Sequence, residues 1–219
     1  VYDFRLLWQL TKMPVWTMIR SFICVIPWLL FFVIIEHLGE TQLAVANIIR
    51  NVFTIFFVIL NSFATTTSAL VSNLLGAGER QYILSLCRKV IRLSYLVGVP
   101  FVLLALLGAN YVLRIYTGDE TLLREAFLPY IVMLSSYFLS VPGYTYCNAV
   151  IGTGHTRIAF LFQAMTILVY LVYLYILSLY PSLPLAIYWT ADYLYALLLF
   201  VFSYHYMCTH EQFKARLVL

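Results

Sequence analysis

Apolar residues dominate the chain in long runs that are separated by short polar segments. A helix needs about 20 mostly apolar residues to cross a hydrocarbon core of roughly 30 Å, and about six runs reach that length. A transmembrane β-barrel would show short segments of alternating polarity instead. The pattern therefore predicts an all-α membrane protein, a bundle of six transmembrane helices. We number these predicted helices one to six, at about 14–36, 43–75, 86–109, 126–151, 157–180 and 184–207.

Polar side chains follow one face of predicted helix two, at alternating steps of four and three residues. Amides and hydroxyls that face lipid tails lack hydrogen-bond partners, so this face is expected to point at other helices or at water. Single serines and threonines also mediate helix packing, but a continuous stripe with three asparagines favours the lining of a cavity. This polar stripe comprises Asn47, Asn51, Thr54, Val58, Asn61, Thr65, Ser68 and Ser72.

Two later helices repeat the pattern over shorter stretches. Together with helix two they predict one cavity, and packing between helices is the alternative for each stretch. These residues are Tyr137, Ser140, Tyr144 and Asn148 in helix four and Gln163, Thr166, Tyr170 and Tyr173 in helix five.

One carboxylate lies well inside a predicted membrane helix, Asp192 in helix six, and Tyr188 and Tyr195 share its face. A charge at membrane depth is usually paired, protonated or functional. Asp192 is thus a candidate for exchanging protons or holding a cation between aromatic faces, and a structural salt bridge to Arg20 or Arg50 is the alternative. The candidate cavity-lining residues are Asn47, Asn51, Thr54, Asn61, Thr65, Tyr144, Asn148, Gln163, Tyr188 and Tyr195.

Composition supports the membrane assignment, since 63% of residues are hydrophobic and only 10% are charged, against roughly a quarter charged in a soluble chain. Loops on the cytoplasmic side carry the excess of Lys and Arg. Both ends of the chain are therefore predicted to face the cytoplasm, and the net charge of +4 reflects this asymmetry rather than nucleic-acid binding. The basic residues behind this prediction are Arg5, Lys12, Arg80, Arg88, Lys89, Arg92, Arg157, Lys214 and Arg216.

Catalytic and metal-binding patterns have little support. The four cysteines are far apart, the four histidines are scattered, and neither a zinc-protease motif nor a phosphate-binding loop occurs in the sequence. We therefore expect no enzyme, no metal site and no cofactor beyond a coupling ion. The cysteines are interpreted as packing residues.

Two segments carry a family resemblance. The first, Leu70 to Arg80 with the sequence LVSNLLGAGER, closes predicted helix two, and the second, Ile151 to Arg157 with the sequence IGTGHTR, joins helices four and five. Both resemble helix-end motifs of the multidrug and toxic compound extrusion (MATE) transporters, and the upstream residues 36–47 also fit. Glycines permit sharp turns at the membrane surface, where arginines are held by the headgroups. The motif residues are Gly76, Gly78, Gly152, Gly154, Thr156 and Arg157.

The resemblance implies a twelve-helix transporter of two six-helix lobes, of which residues 1–219 are similar to the C-terminal lobe, helices seven to twelve. It also implies antiport of Na⁺ or H⁺ against organic compounds, cationic or aromatic, that leave the cell as one lobe rocks against the other. The partners implied are the organic substrate, membrane lipid and the missing N-terminal lobe, on the same chain or a second copy. The bacterial inner membrane is the expected location.

This chain departs from some relatives, which carry an acidic residue in the middle of helix seven, where it has apolar residues, Cys24 and nearby Arg20. Two alternatives stay open. A flippase for lipid-linked oligosaccharides shares the two-lobe plan but moves an anion and therefore needs a more cationic cavity. Arg20 and Arg50 are the candidates for that positive charge. A membrane assembly subunit without transport is the other. Efflux of ethidium-like dyes by the full-length protein would discriminate between these functions.

Overall fold

The computed structural model describes residues 15, 18–19, 22–180 and 182–209, and these residues form helices joined by short turns. Among them, five stretches are long and apolar enough to cross a membrane: α2, α3 with the turn before it, α5, α6, and α7 together with α8. The structure is thus an all-α membrane bundle. The helices are α1 (Val25–Glu36), α2 (Glu40–Gly76), a 3₁₀ turn (Arg80–Tyr82), α3 (Ile83–Leu107), α4 (Ala109–Tyr116), α5 (Glu120–Gly152), α6 (Thr156–Ser178), α7 (Leu185–Trp189) and α8 (Ala191–Thr209).

Helix α5 is the centre of the bundle, because α2 packs on one side of it and α8 on another, and α6 packs against α8. The buried face of α2 repeats at helical spacing, as in Ile49, Val52 and Phe56, and it makes the largest contact with α5. An apolar face that recurs every three to four residues is what allows one side of a helix to pack continuously. Its opposite face therefore stays uncovered by this chain.

The two segments that carry the family resemblance lie against each other although Ser72 and Gly152 are 80 residues apart in the chain. The hydroxyl of Ser72 donates a hydrogen bond to the carbonyl of Gly152 at 2.9 Å. Gly78 and Gly154 have φ of +78° and +84°, a left-handed conformation that favours glycine, and each ends its helix. Gly152 has another role, since a Cβ there would lie 2.4 Å from the carbonyl oxygen of Ser68.

Several boundaries differ from the predicted ones. Helix α5 begins at Glu120 rather than near 126 because Asp119 caps it, accepting hydrogen bonds at 2.8 Å from the backbone N–H and hydroxyl of Thr121. The same hydrogen bonds lower the pKa of Asp119. The connection at 110–125 thus contains α4 and the first turn of α5.

The first and last predicted helices also differ. The described part of helix one is the 12-residue α1 with a few helical residues before it, and other residues of 14–36 lie outside the described set. Helix six is two helices, α7 and α8, which meet at Thr190. Arg5, Lys12, Lys214 and Arg216 lie outside the described residues.

Candidate binding cavity

A cavity of about 390 Å³ lies inside the bundle, between α1, α2, α5, α6 and α8. This volume is in the range of sites that hold small organic molecules. Much of the wall is aromatic, and polar groups enter it from four helices, as Asn61 on α2, Ser140 on α5, Gln163 on α6 and Asp192 on α8. The aromatic wall includes Trp28, Phe53, Phe57, Tyr144, Tyr170 and Tyr195.

Asp192 is the one formally charged residue among the described residues that line this cavity. Its Oδ2 atom is buried and accepts no hydrogen bond within the described part of the chain. The carboxylate is the second residue of α8 and lies close enough to Tyr170 to interact electrostatically. The N-terminus of a helix carries a partial positive charge that favours an anion there. A carboxylate that lines a cavity and has a buried oxygen without a described hydrogen-bond partner has the chemistry to bind a proton or a cation.

The neighbouring polar groups are ordered by contacts with one another. The Gln163 amide, whose residue is only 2% exposed, donates a hydrogen bond to the hydroxyl of Tyr195. The Tyr195 ring packs edge-on against Tyr170 with centroids 5.9 Å apart, and it lies 6.3 Å from the ring of Tyr144. An array of aromatic faces and phenol groups around a carboxylate suits a cation that is organic or partly dehydrated.

The helix break at Thr190 positions this site. The Thr190 hydroxyl shares a hydrogen bond with the Tyr173 hydroxyl at 2.9 Å. The Thr190 backbone carbonyl accepts hydrogen bonds from the N–H groups of Tyr193 and Leu194 at the start of α8. Because α8 starts here, Asp192 lies in a first helical turn although it is inside a membrane span. The one start signal in the sequence is Asp192 itself, since acidic residues are common in the first turn of a helix. The Thr190 hydroxyl donates to the carbonyl of Ile187 and does not cap α8.

The polar stripe of α2 does not run into the cavity as a whole. Asn51, Thr54 and Thr65 are exposed on the face of α2 that this chain leaves uncovered, and of the stripe only Asn61 also lines the cavity. The hydroxyls of Thr54 and Thr65 donate to carbonyls of their own helix, at 2.9 and 2.8 Å. Half-buried Asn47 likewise donates to the carbonyl of Leu43 at 2.9 Å.

Two other predicted lining residues are part of the bundle interior. Tyr188 is fully buried in α7, where its hydroxyl donates to the carbonyl of Leu177 at 3.1 Å. Asn148 is also buried, and its amide donates to the carbonyl of Tyr144 at 2.9 Å. The structure therefore brings together Asn61, Tyr144 and Asp192 with Gln163 and Tyr195, and the cavity also takes in Tyr137, Ser140 and Tyr170 of the stretches predicted in helices four and five. The other predicted lining residues lie outside the cavity.

Arg50, one of the two candidate partners in the salt-bridge alternative, forms no ion pair with Asp192. Arg50 is exposed, and its guanidinium lies 4.9 Å from the ring centroid of Phe32. The ion pair found among the described residues joins Arg114 and Glu120 at 2.8 Å. Arg20, the other proposed partner, lies outside the described residues.

A scan against protein families matches the MatE model over residues 17–176. Among solved structures, the chain is similar to a multidrug resistance MATE family transporter of the MOP superfamily in an outward-facing conformation, with 16% identity and a TM-score of 0.81 over 91% of this chain and 44% of that one. It is also similar to a MOP superfamily transporter from Pyrococcus furiosus, for which a binding pocket of reverse polarity suggests a different function, with 17% identity and a TM-score of 0.77 over 93% of this chain and 45% of that one. No curated protein matches.

Proposed function

The chain belongs to the MATE family, and from this premise we propose that it is one lobe of a secondary active transporter that exchanges Na⁺ or H⁺ for organic compounds. The chain spans less than half the length of the two solved transporters that it resembles. It is an integral membrane protein with several apolar helices of spanning length. A second lobe, on the same polypeptide or in a second copy, completes the proposed transporter.

The cavity around Asp192 is the observation that carries this proposal. It combines an aromatic wall with a single carboxylate whose Oδ2 atom accepts no hydrogen bond within the described residues. A site of this kind attracts cations by charge and by the faces of aromatic rings, and it offers little to an anion. Binding of the coupling ion and export of a cationic or aromatic compound are therefore its best-supported roles.

The uncovered face of α2 supports the two-lobe arrangement. Its exposed residues include Asn51, Asn61 and Ser62 together with several threonines, and such a face is costly against lipid tails. Their hydroxyls bond to their own helix, whereas the asparagine amides are available to water or to a partner. We therefore place the second lobe, or the water-filled cleft between lobes, on this face, so that rocking of the lobes opens it to alternate sides.

The described charges support the proposed sidedness. Basic residues such as Arg80 and Arg88 lie near the end of the bundle where α2 meets α3, and acidic residues such as Glu36, Asp119 and Glu125 lie near the other end. Cytoplasmic surfaces carry the basic excess. The first end thus faces the cytoplasm, in what we propose is a bacterial inner membrane.

A dye-efflux experiment on the full-length transporter tests the proposal. Proteoliposomes that contain the wild-type protein should expel an ethidium-like dye when a Na⁺ or H⁺ gradient is imposed. Asp192→Asn keeps the size and most hydrogen bonds of the side chain and should abolish gradient-driven efflux without lowering the melting temperature. Glu79→Gln, which neutralises an exposed carboxylate at the other end of the bundle, is the matched control and should transport normally.

Two results would contradict the proposal. Normal efflux by Asp192→Asn would exclude this carboxylate from coupling, and the absence of any dye transport by the wild type would favour a different cargo. Translocation of a lipid-linked oligosaccharide by the same proteoliposomes would support the flippase alternative. The cavity argues against that cargo, because neither lysine nor arginine is among the described residues that line it.

A further inference from the structure

The exposed face of α3 changes character along its length. Near its start it presents Arg88, Lys89 and Arg92, all exposed and none in an ion pair with another described residue. Further along it presents large apolar side chains, of which Leu96 is 72% and Leu107 is 86% exposed. Helix α3 itself contains no acidic residue, so nothing on this element neutralises the three positive charges.

The basic and apolar residues share one face. Arg88, Arg92 and Leu96 follow one another at steps of four, and Leu103 and Leu107 continue at steps of seven and four. At about 1.5 Å per residue, the apolar part from Leu96 to Leu107 extends roughly 17 Å, close to the thickness of one leaflet of a hydrocarbon core. A face that is basic at one end and apolar over one leaflet matches a phospholipid with an anionic head.

A seam beside this face supplies a further polar group. Helices α3 and α8 both pack on α5, and the Arg88 side chain lies within hydrogen-bonding reach of the Tyr204 hydroxyl, which also contacts the Cys208 thiol. The floor of the seam is Tyr146 of α5, which is buried and packs edge-on against Tyr204 with ring centroids 5.1 Å apart. Tyr204 also stacks on Phe200 at 5.4 Å, so its hydroxyl is held in a defined position beside Arg88.

We propose that this basic seam, formed by Arg88, Lys89, Arg92 and Tyr204, binds the phosphate headgroup of an anionic phospholipid whose acyl chains lie along Leu96 to Leu107. Three positive side chains with no described ion pair, and one phenol, offer charge-assisted hydrogen bonds to phosphate oxygens. Simple attraction of loops to the cytoplasmic leaflet does not account for Arg92, which lies nine residues, or about 14 Å, past the start of α3. An arginine at that depth extends its head toward the headgroup region.

Lipid binding to the purified full-length protein tests the proposal. Detergent-solubilised phosphatidylglycerol and phosphatidylcholine with identical acyl chains are titrated separately, and retained lipid is counted by native mass spectrometry. The wild type should retain phosphatidylglycerol preferentially. In the triple variant R88Q/K89Q/R92Q, the ratio of retained phosphatidylglycerol to phosphatidylcholine should fall by roughly five-fold for each charge removed. Arg124→Gln removes an exposed arginine at the opposite end of the bundle and should leave the preference unchanged.

Two further measurements keep the test decisive if the triple variant is unstable. Preference of the wild-type protein for phosphatidylglycerol should fall as NaCl rises, because salt screens exposed charges. Tyr204→Phe keeps the ring packing. It should weaken the retention of phosphatidylglycerol and leave that of phosphatidylcholine unchanged. Equal retention of the two lipids by the wild type, a preference insensitive to salt, or a triple variant that keeps the preference would each overturn the proposal. None of these outcomes depends on transport.

Discussion

The contact between the two motif segments makes a sharp prediction for Gly152→Ala. An ideal Cβ at this position lies 2.4 Å from the carbonyl oxygen of Ser68, 3.0 Å from the Cα of Ser68 and 3.0 Å from the Cβ of Val71. Two of these three atoms are backbone atoms of α2, so side-chain rotation cannot relieve the overlap. Helices α2 and α5 must separate locally by several tenths of an ångström or more.

Two costs follow from this separation. Overpacking of a well-packed interior costs typically about 1–3 kcal/mol, and stretching the hydrogen bond from Ser72 to the Gly152 carbonyl adds about 0.5–1.5 kcal/mol. The expected loss for Gly152→Ala is therefore on the order of 2–4 kcal/mol. Gly76→Ala is the matched control, because a Cβ there meets nothing within 4 Å. Alanine at the end of α2 should leave stability unchanged or raise it by up to about 1 kcal/mol.

The assay is thermal unfolding of the purified protein in one detergent, followed by tryptophan fluorescence and by loss of the monodisperse peak in size-exclusion chromatography. Gly152→Ala should melt below the wild type and Gly76→Ala at or above it. Adding Val71→Ala to Gly152→Ala should not restore stability, because alanine keeps the Cβ atom at position 71 and both contacts with Ser68 also remain. If Gly152→Ala has the melting temperature of the wild type, or if Val71→Ala restores that temperature fully, the α2 backbone at Ser68 does not exclude a Cβ at position 152.

Three other predictions concern sidedness, water access and a helix cap. In a background without reactive native cysteines, a cysteine at Gly118 should react with an impermeant thiol reagent added outside the cell and one at Glu79 should not; the reverse pattern would overturn the orientation. A cysteine at Asn51 should react faster than one at Leu96, although both positions are exposed, because water covers the first and lipid the second; equal rates would mean that lipid covers the polar stripe. Hydrogen bonds lower the pKa of Asp119, so its contribution as a cap is present above its ordinary pKa of about 4 and is lost as pH falls through the lower folded value. The protection of the first-turn amides of α5 against hydrogen exchange, taken relative to the intrinsic exchange rate at the same pH, should therefore fall on acidification in the wild type and less so in Asp119→Asn; identical pH profiles of protection would contradict this role.

Helix content and family were accessible from the sequence because both depend on local features. Continuous apolar runs require helices in lipid, and the glycines at positions 78 and 154 mark helix ends through a left-handed backbone that other residues rarely adopt. The motif residues were also found in the sequence, but the reason for Gly152 was not a turn. It is the close approach of α2, a contact between segments that are distant in the chain.

Which residues line the candidate site could be predicted only in part from the sequence. Periodicity identified a polar face on α2, but it could not say what covers that face, and of the stripe only Asn61 reaches the cavity. Asp192 was recognisable as an intramembrane carboxylate, whereas its neighbours Gln163 and Tyr170, and the absence of a bridge to Arg50, depend on how α6 and α8 pack. A repeat along one helix fixes the direction of its side chains relative to one another and carries no information on which helix lies opposite. Only the tertiary packing of five helices decides which polar groups line one cavity.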